Sequence, residues 1–262
     1  PTQKIAYGFF AETVLLLMLY AASALLGAAK FLTLADPLAL SLPYNQLGGL
    51  ANVLLNLAAL TGLLGGGLYV ATGSRGGRQV KYESVLQYGF WLWTALLLLT
   101  FLAGIFGLLE GRNLLELPRF LDVYQLIVLF ALIVTIGANG LRSPLIRVWS
   151  VGMMIALIGV LAGLVQPADY VQDRVWRLLA VGLQLNVAYP MAGAALGYWL
   201  IRRFSGVPRM WTDMGVYTVG GLLAIAGVLV TLPPLFRLGA EEISITLGYV
   251  ALIVVPILYL IV

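Results

Sequence analysis

Long apolar runs separated by short polar breaks dominate the sequence. An α-helix needs about 20 apolar residues to cross a hydrocarbon core of about 30 Å. Inside a bilayer only helices and closed barrels satisfy every backbone hydrogen bond, and the alternating pattern of a barrel is absent. We therefore predict an all-α, polytopic bundle of about eight transmembrane helices, forming one integral membrane domain over residues 1–262. The predicted spans are about 5–29, 47–72, 84–109, 120–140, 146–166, 178–201, 212–235 and 244–262.

Two of the predicted connections are longer than a simple turn needs. They cover residues 30–46 and 166–177 and lie on the same side of the membrane. Two interpretations stay open for each connection: a docking site for a partner, or a short interfacial helix that covers the end of the bundle.

Composition agrees with a lipid environment. The chain is 61% hydrophobic and 10% charged, whereas soluble domains are roughly 45–50% apolar and about 25% charged. The net charge of +4 comes from basic residues in short loops between apolar runs. That arrangement is typical of membrane topology and not of a surface that follows phosphates, so we expect no nucleic-acid partner.

The distribution of Lys and Arg predicts the orientation, because cytoplasmic loops carry an excess of them. The N-terminus and the even-numbered loops hold nine basic residues and the other loops hold six. We therefore expect a multi-pass protein of the cell inner (cytoplasmic) membrane with both termini in the cytoplasm. The first span, Ile5 to Ala29, is too long for a signal-peptide core, so no cleavable signal peptide is expected.

Histidine and cysteine are both absent from the chain. Imidazole and thiolate are the usual ligands of heme iron, copper, zinc and iron–sulfur clusters. Disulfides, thiol chemistry and a histidine general base are excluded for the same reason. We therefore predict no metal site, no catalytic residue and no cofactor bound by this chain.

Glu12 is the one ionisable residue that stands out inside a predicted span. A charge in lipid is costly, which makes such a residue a functional candidate. As a proton-relay residue Glu12 would need partners. It would otherwise be hydrated near the cytoplasmic interface or paired with a neighbouring subunit.

The uncharged polar residues within spans favour packing between helices over a substrate path. They are Asn52, Asn56, Gln87, Asn139, Gln184 and Asn186. Small residues four apart, as in Gly62/Gly66, Gly159/Gly163 and Gly193/Gly197, predict close helix contacts. The tryptophans fit interface anchors near span ends; they are Trp91, Trp93, Trp149, Trp176, Trp199 and Trp211.

Three stretches carry a resemblance to a known family. They are Leu50-Ala51-Asn52 running on to Gly65-Gly66-Gly67-Leu68-Tyr69, the loop Glu110-Gly111-Arg112-Asn113-Leu114-Leu115-Glu116-Leu117-Pro118, and Leu185-Asn186-Val187-Ala188. From about Leu42 to Gly239, their order resembles the N-terminal part of the catalytic subunit I of heme–copper oxidases, in the C-type oxidase and nitric oxide reductase branch. The resemblance implies an oxidase-like helix bundle.

The metal-ligand histidines of that family are missing. Leu50 stands where the family has a heme-ligating histidine of its second helix, and Leu185 where it has a copper-ligating histidine. Pro233 and Pro234 stand where it has a His-His pair. The resemblance therefore implies a degenerate, truncated relative in which these former ligand positions hold no cofactor.

Three functions follow as hypotheses. The first is a non-catalytic, cofactor-free membrane subunit that scaffolds or anchors a respiratory or photosynthetic electron-transfer complex, with lipid and other membrane and redox subunits as its partners. The second is a small-molecule or ion transporter that uses Glu12 and helix breaks at Tyr189-Pro190 and Pro233-Pro234. The third is a quinone-binding subunit with aromatic and Arg side chains at a helix end.

Overall fold

Helices make up almost all of the described chain. The computed structural model describes residues 2–32, 44–73, 80–109, 117–165, 169–205, 213–232 and 241–261, and no strand occurs among them. The all-α prediction is confirmed. The helices are α1 (Thr2–Leu32), α2 (Tyr44–Gly73), α3 (Glu83–Ile105), α4 (Arg119–Gly140), α5 (Pro144–Gly163), α6 (Tyr170–Gly182), α7 (Tyr189–Ser205), α8 (Asp213–Thr231) and α9 (Glu241–Ile261).

The helices have the lengths that a membrane requires. A π-helical segment, Leu183–Ala188, joins α6 to α7, so that residues Tyr170–Phe204 form one apolar span of 35 residues. With that span counted once, seven described helices are long and apolar enough to cross a bilayer, and α9 adds a shorter apolar stretch, Ile245–Val255. The chain is a multi-pass membrane protein.

One predicted span, 84–109, ends earlier than expected. Helix α3 stops at Ile105 because Gly107 adopts a φ of +71°, in the left-handed region that ends many helices. The side chain of Gln46 in α2 covers this end: its Nε2 donates to the carbonyls of Gly104 and Ile105 at 2.7 and 3.0 Å. Residues 106–109 are apolar enough to continue the predicted span, so hydropathy alone does not indicate the turn at Gly107.

Residues 170–177 of the connection predicted at 166–177 are helical and continue directly into the next span. Helix α6 begins at Tyr170, and the Asp169 carboxylate accepts a hydrogen bond of 3.0 Å from the Val171 N–H as its N-cap. Asp173 and Arg177 pair four residues apart on the same helix. The other long connection, residues 30–46, is helical at both described ends, and residues 33–43 lie outside the described part.

Helix α2 contacts three neighbours at one level through the glycine triplet at 65–67. Successive residues of an α-helix point about 100° apart, so the three glycines face Phe9 of α1, Leu196 of α7 and Trp149 of α5 in turn. A Cβ at these glycines would lie 2.9, 2.5 and 2.3 Å from the nearest atoms of those side chains. An alanine at any of the three positions would require the facing side chain to move. By contrast, a Cβ at Gly193 or Gly197 would meet no atom within 4 Å in the described chain, so the close contacts predicted there are absent.

Two tryptophans lie in the core and not at an interface. Trp93 and Trp149 have no exposed surface. The Trp93 Nε1–H donates to the Thr61 hydroxyl and the Trp149 Nε1–H to the Leu63 carbonyl, each at 2.9 Å. The prediction of interface anchors is therefore wrong for this pair, because each indole N–H has a partner on α2.

Candidate functional site

The former ligand positions do not converge on a shared interior space. Leu50 is 3% exposed and packs on Gly104, where a Cβ would lie 2.4 Å from Leu50 Cδ1. Leu185 lies in the π-helical segment and is 40% exposed. Leu50 therefore fills the contact between α2 and α3, whereas Leu185 faces the outer surface of the bundle. Pro233 and Pro234 lie outside the described residues.

A polar cluster lies one residue away from Leu185. Gln184 is 2% exposed, and its Oε1 accepts a hydrogen bond of 3.1 Å from Asn56 Nδ2 of α2. The Tyr189 hydroxyl donates to Asn56 Oδ1 and lies 3.4 Å from Gln184 Oε1. We call Asn56, Gln184 and Tyr189 the amide–phenol cluster. It links the second span to the π-helical segment.

Pro190 explains why the helix widens at this point. Proline has no N–H, and its ring clashes with the carbonyl four residues earlier, which here belongs to Asn186. The π-helical segment changes the hydrogen-bond spacing from four residues to five, as in the bond from Tyr189 N to Gln184 O. Such bulges are frequent at functional sites. The helix is not interrupted at Tyr189-Pro190, so the transport hypothesis loses one of its predicted breaks.

An apolar crevice of about 360 Å³ opens between α1 and α2 beside this cluster. Tyr189 forms part of its wall, but the phenol hydroxyl turns to Asn56. The hydroxyl of Thr13, also in the wall, donates to the Phe9 carbonyl at 2.8 Å. The crevice suits a hydrocarbon chain. The quinone hypothesis requires an arginine, and none is among the described lining residues of the crevice. The other lining residues are Leu17, Leu55, Ala58, Ala59, Gly62 and Leu63.

The amide–phenol cluster has a structural role. Amides and a phenol carry no charge near neutral pH. Gln184 Nε2 has no acceptor among the described residues and packs 3.3 Å from a Cβ placed at Gly159. In the described part of the chain, no three His, Cys, Asp or Glu side chains come together as metal ligands. The hydrogen bonds of the cluster can fix the position of α2 relative to the π-helical segment.

Asn56→Leu should lower the free energy of unfolding by about 1–3 kcal/mol, because it removes the hydrogen bonds that Asn56 makes to the buried Gln184 amide and to the Tyr189 phenol. Sodium dodecyl sulfate titration in mixed micelles, followed by circular dichroism, measures this change. Asn52→Leu is the matched control: Asn52 lies on the exposed side of the same helix, and its replacement should change stability by less than about 0.5 kcal/mol. Equal effects of the two substitutions would contradict a stabilising role for the cluster.

Two other predicted polar contacts also join separate elements. Asn139 of α4 accepts from the Lys81 N–H and donates to the Lys81 carbonyl, both at 2.8 Å, which fixes the backbone just before α3. Asn186 Nδ2 donates to the Thr231 hydroxyl of α8 at 3.3 Å. The prediction of packing contacts is thus confirmed for Asn56, Asn139, Gln184 and Asn186. Asn52 and Gln87 are exposed.

Glu12 lies deep in the first span. It follows Thr2 by ten residues, about 15 Å along the helix axis. Its Oε1 is hydrogen-bonded to the Thr94 hydroxyl of α3 at 2.5 Å. Its Oε2 is buried and has no hydrogen-bond partner among the described residues. The sequence identified Glu12, but nothing in the sequence indicated Thr94, which is 82 positions away.

The fold and these sites define a multi-pass α-helical membrane protein whose helices are joined by buried amide, hydroxyl and indole contacts. No protein-family model and no curated protein matches the chain. The likeness to heme–copper oxidases rests on the three sequence stretches given above and stays a prediction.

Proposed function

We propose that this chain is a non-catalytic, cofactor-free membrane subunit that scaffolds or anchors a respiratory or photosynthetic electron-transfer complex. The observation that carries the proposal is the packing of Leu50. This side chain stands where a heme ligand is expected from the resemblance, and it lies against Gly104 at a distance that leaves no room for a methyl group between them. Close packing at this position is what a cofactor-free bundle requires, since protein interiors tolerate few voids.

The outer surface gives the proposal its second support. Helix α1 exposes large apolar side chains along its length, with Val14, Met18 and Leu25 at 58%, 66% and 71% exposure. Lipid solvates such a surface, and helices of other subunits can replace lipid on it without a hydrophobic penalty, because lipid tails are as apolar as leucine. We propose other membrane and redox subunits as the partners.

The location is proposed together with the function. We propose the cell inner membrane, and the excess of Lys and Arg in the N-terminal segment and even-numbered loops supports a cytoplasmic position for both termini. The chain has no cysteine, so single substitutions such as Arg142→Cys and Tyr170→Cys can test the side of each loop with a membrane-impermeant maleimide.

Purification in mild detergent through a tag on this chain should recover cytochrome and iron–sulfur subunits in a fixed ratio. Mass spectrometry identifies the subunits and the absorption spectrum reports heme. After a harsher detergent separates the subunits, the heme absorption should remain with the partners, because this chain has no histidine or cysteine to bind it.

Two results would contradict the proposal. A chain that elutes alone, colourless and monodisperse, from its native membrane is not a subunit of such a complex. Stoichiometric heme on the separated chain would contradict the cofactor-free part of the proposal and leave the association with partners standing.

A further inference from the structure

The hydroxyl of Thr94 is shared between two oxygen atoms. It lies 2.5 Å from Glu12 Oε1 and 3.0 Å from the carbonyl oxygen of Phe90. A threonine hydroxyl has one hydrogen to donate, and a carbonyl can only accept. If Thr94 donates to Phe90, the short contact with Glu12 needs a hydrogen on Oε1. A protonated Glu12 therefore satisfies both contacts at once.

The charges around Glu12 also favour the neutral acid. Helices α2 and α3 pack against this part of α1. Residues Tyr44–Gly73 of α2 contain no Asp, Glu, Lys or Arg. The acidic residue of α3, Glu83, precedes Thr94 by eleven positions, about 16 Å along the axis. On α1 itself, Lys4 is eight positions before Glu12, about 12 Å away along the axis. Lys30, in the last turn of α1, is 18 positions after Glu12, about 27 Å along the axis. No cationic side chain of these three helices thus lies at the depth of Glu12.

The remaining titratable groups on the three helices are phenols. Tyr7 contacts Tyr69 of α2 with ring centroids 6.0 Å apart, and Tyr88 of α3 is 71% exposed. Tyr20 of α1 is at an intermediate position, Tyr82 just before α3 is exposed, and Tyr44 is the first residue of α2. Phenols are neutral near pH 7 and supply no charge to pair with a carboxylate. An ionised Glu12 would leave Oε2 charged, buried and without a hydrogen-bond partner among the described residues, which is strongly unfavourable.

We propose that Glu12 is a proton-binding site inside the membrane, held as a carboxylic acid that donates to Thr94 while Thr94 donates to the Phe90 carbonyl. The ligand is a proton, and Thr94 is the positioning residue. This site is independent of the scaffold function, which needs no titratable group in the bilayer.

A neutral carboxylic acid in lipid is the target of lipid-soluble carbodiimides. The acid O–H adds across one C=N bond: its proton goes to nitrogen and its oxygen binds the central carbon. The acyl group then migrates from that oxygen to nitrogen and gives a stable N-acylurea. Nothing leaves, so the modified residue gains the whole mass of the reagent. A carboxylate lacks the proton that this addition requires.

The test treats the full chain in lipid vesicles near neutral pH with dicyclohexylcarbodiimide, followed by peptide mass spectrometry. We expect one adduct, on Glu12, and its loss in Glu12→Gln. Glu83 at the start of α3 is the internal reference and should stay unmodified. Modification of Glu83 without modification of Glu12 would overturn the proposal.

Infrared difference spectroscopy gives an independent measurement. The spectrum of the wild-type chain minus that of Glu12→Gln should contain the carbonyl stretch of a protonated carboxyl group. Thr94→Val removes the acceptor and should move this band to higher frequency, whereas Thr94→Ser should leave it in place. A purely structural role of Thr94 would not move the band.

Absence of the band in the wild type overturns the proposal. If Glu12→Gln fails to fold, the comparison of Thr94→Val with Thr94→Ser still tests it. Neither measurement requires a partner subunit, so the outcome does not affect the scaffold proposal, which the co-purification experiment tests separately.

Discussion

Gly227→Ala should lower the free energy of unfolding by about 1–3 kcal/mol, because the added methyl group has no room. A Cβ at Gly227 would lie 2.2 Å from the carbonyl oxygen of Asn186 and 2.7 Å from its carbonyl carbon. These are backbone atoms of the π-helical segment, so no rotamer change can relieve the clash. Helix α8 must move away from the segment and lose its contact. Unfolding by sodium dodecyl sulfate in mixed micelles, followed by circular dichroism, measures the change.

The control for this substitution is on the same helix. A Cβ at Gly221 would meet no atom within 4 Å in the described chain. Gly221→Ala should therefore be neutral or stabilise by up to about 1 kcal/mol, since alanine is the better helix former. Equal destabilisation by the two alanines would mean that loss of glycine flexibility, and not contact with Asn186, sets the effect.

Trp149→Ala should lower the free energy of unfolding by about 3 kcal/mol, within the range measured for large-to-small core substitutions. Trp149 has no exposed surface, and its indole N–H donates to the Leu63 carbonyl. Because the unfolded chain stays in a detergent or lipid phase, the hydrophobic transfer of the indole from water contributes little to this loss of stability. The cost arises from the cavity and the lost van der Waals contacts. Far-ultraviolet circular dichroism is the measurement, since the substitution also changes the intrinsic fluorescence.

Two comparisons make this prediction specific. Trp91 is 61% exposed, and Trp91→Ala should change stability by less than about 0.5 kcal/mol. Gly67→Ala alone should destabilise, because its Cβ would lie 2.3 Å from Trp149 Cε2. Combined with Trp149→Ala, the same methyl group enters the vacated space, so the double substitution should cost less than the sum of the single ones. Additive effects would contradict direct contact between these positions.

The helices could be predicted from the sequence because their length follows from the thickness of the bilayer. The span predicted at 120–140 begins at Arg119 and ends at Gly140. The partner of each buried side chain had no comparable signal. An indole ring suits both a membrane interface and a core that offers a hydrogen-bond acceptor, and the sequence does not tell Trp149 from Trp91.

The candidate site could be located from the sequence only in part. The sequence drew attention to Leu185 through its resemblance to a ligand position, but Gln184 is the side chain that enters the bundle. Gln184 continues the inward-facing side of α6, because it follows the buried Asp173 and Ala180 by eleven and four residues. Glu12 was recognisable as an acid in an apolar run. Its partner Thr94 follows from tertiary packing and has no local signature.

The glycine triplet of α2 restricts how this protein can move. Three neighbouring helices meet the same level of α2 from three directions, and each contact depends on the absence of a side chain. A rotation of α2 about its own axis would separate the glycines from all three partners and bring larger side chains to the same level. We therefore expect α2 to keep its orientation relative to α1, α5 and α7.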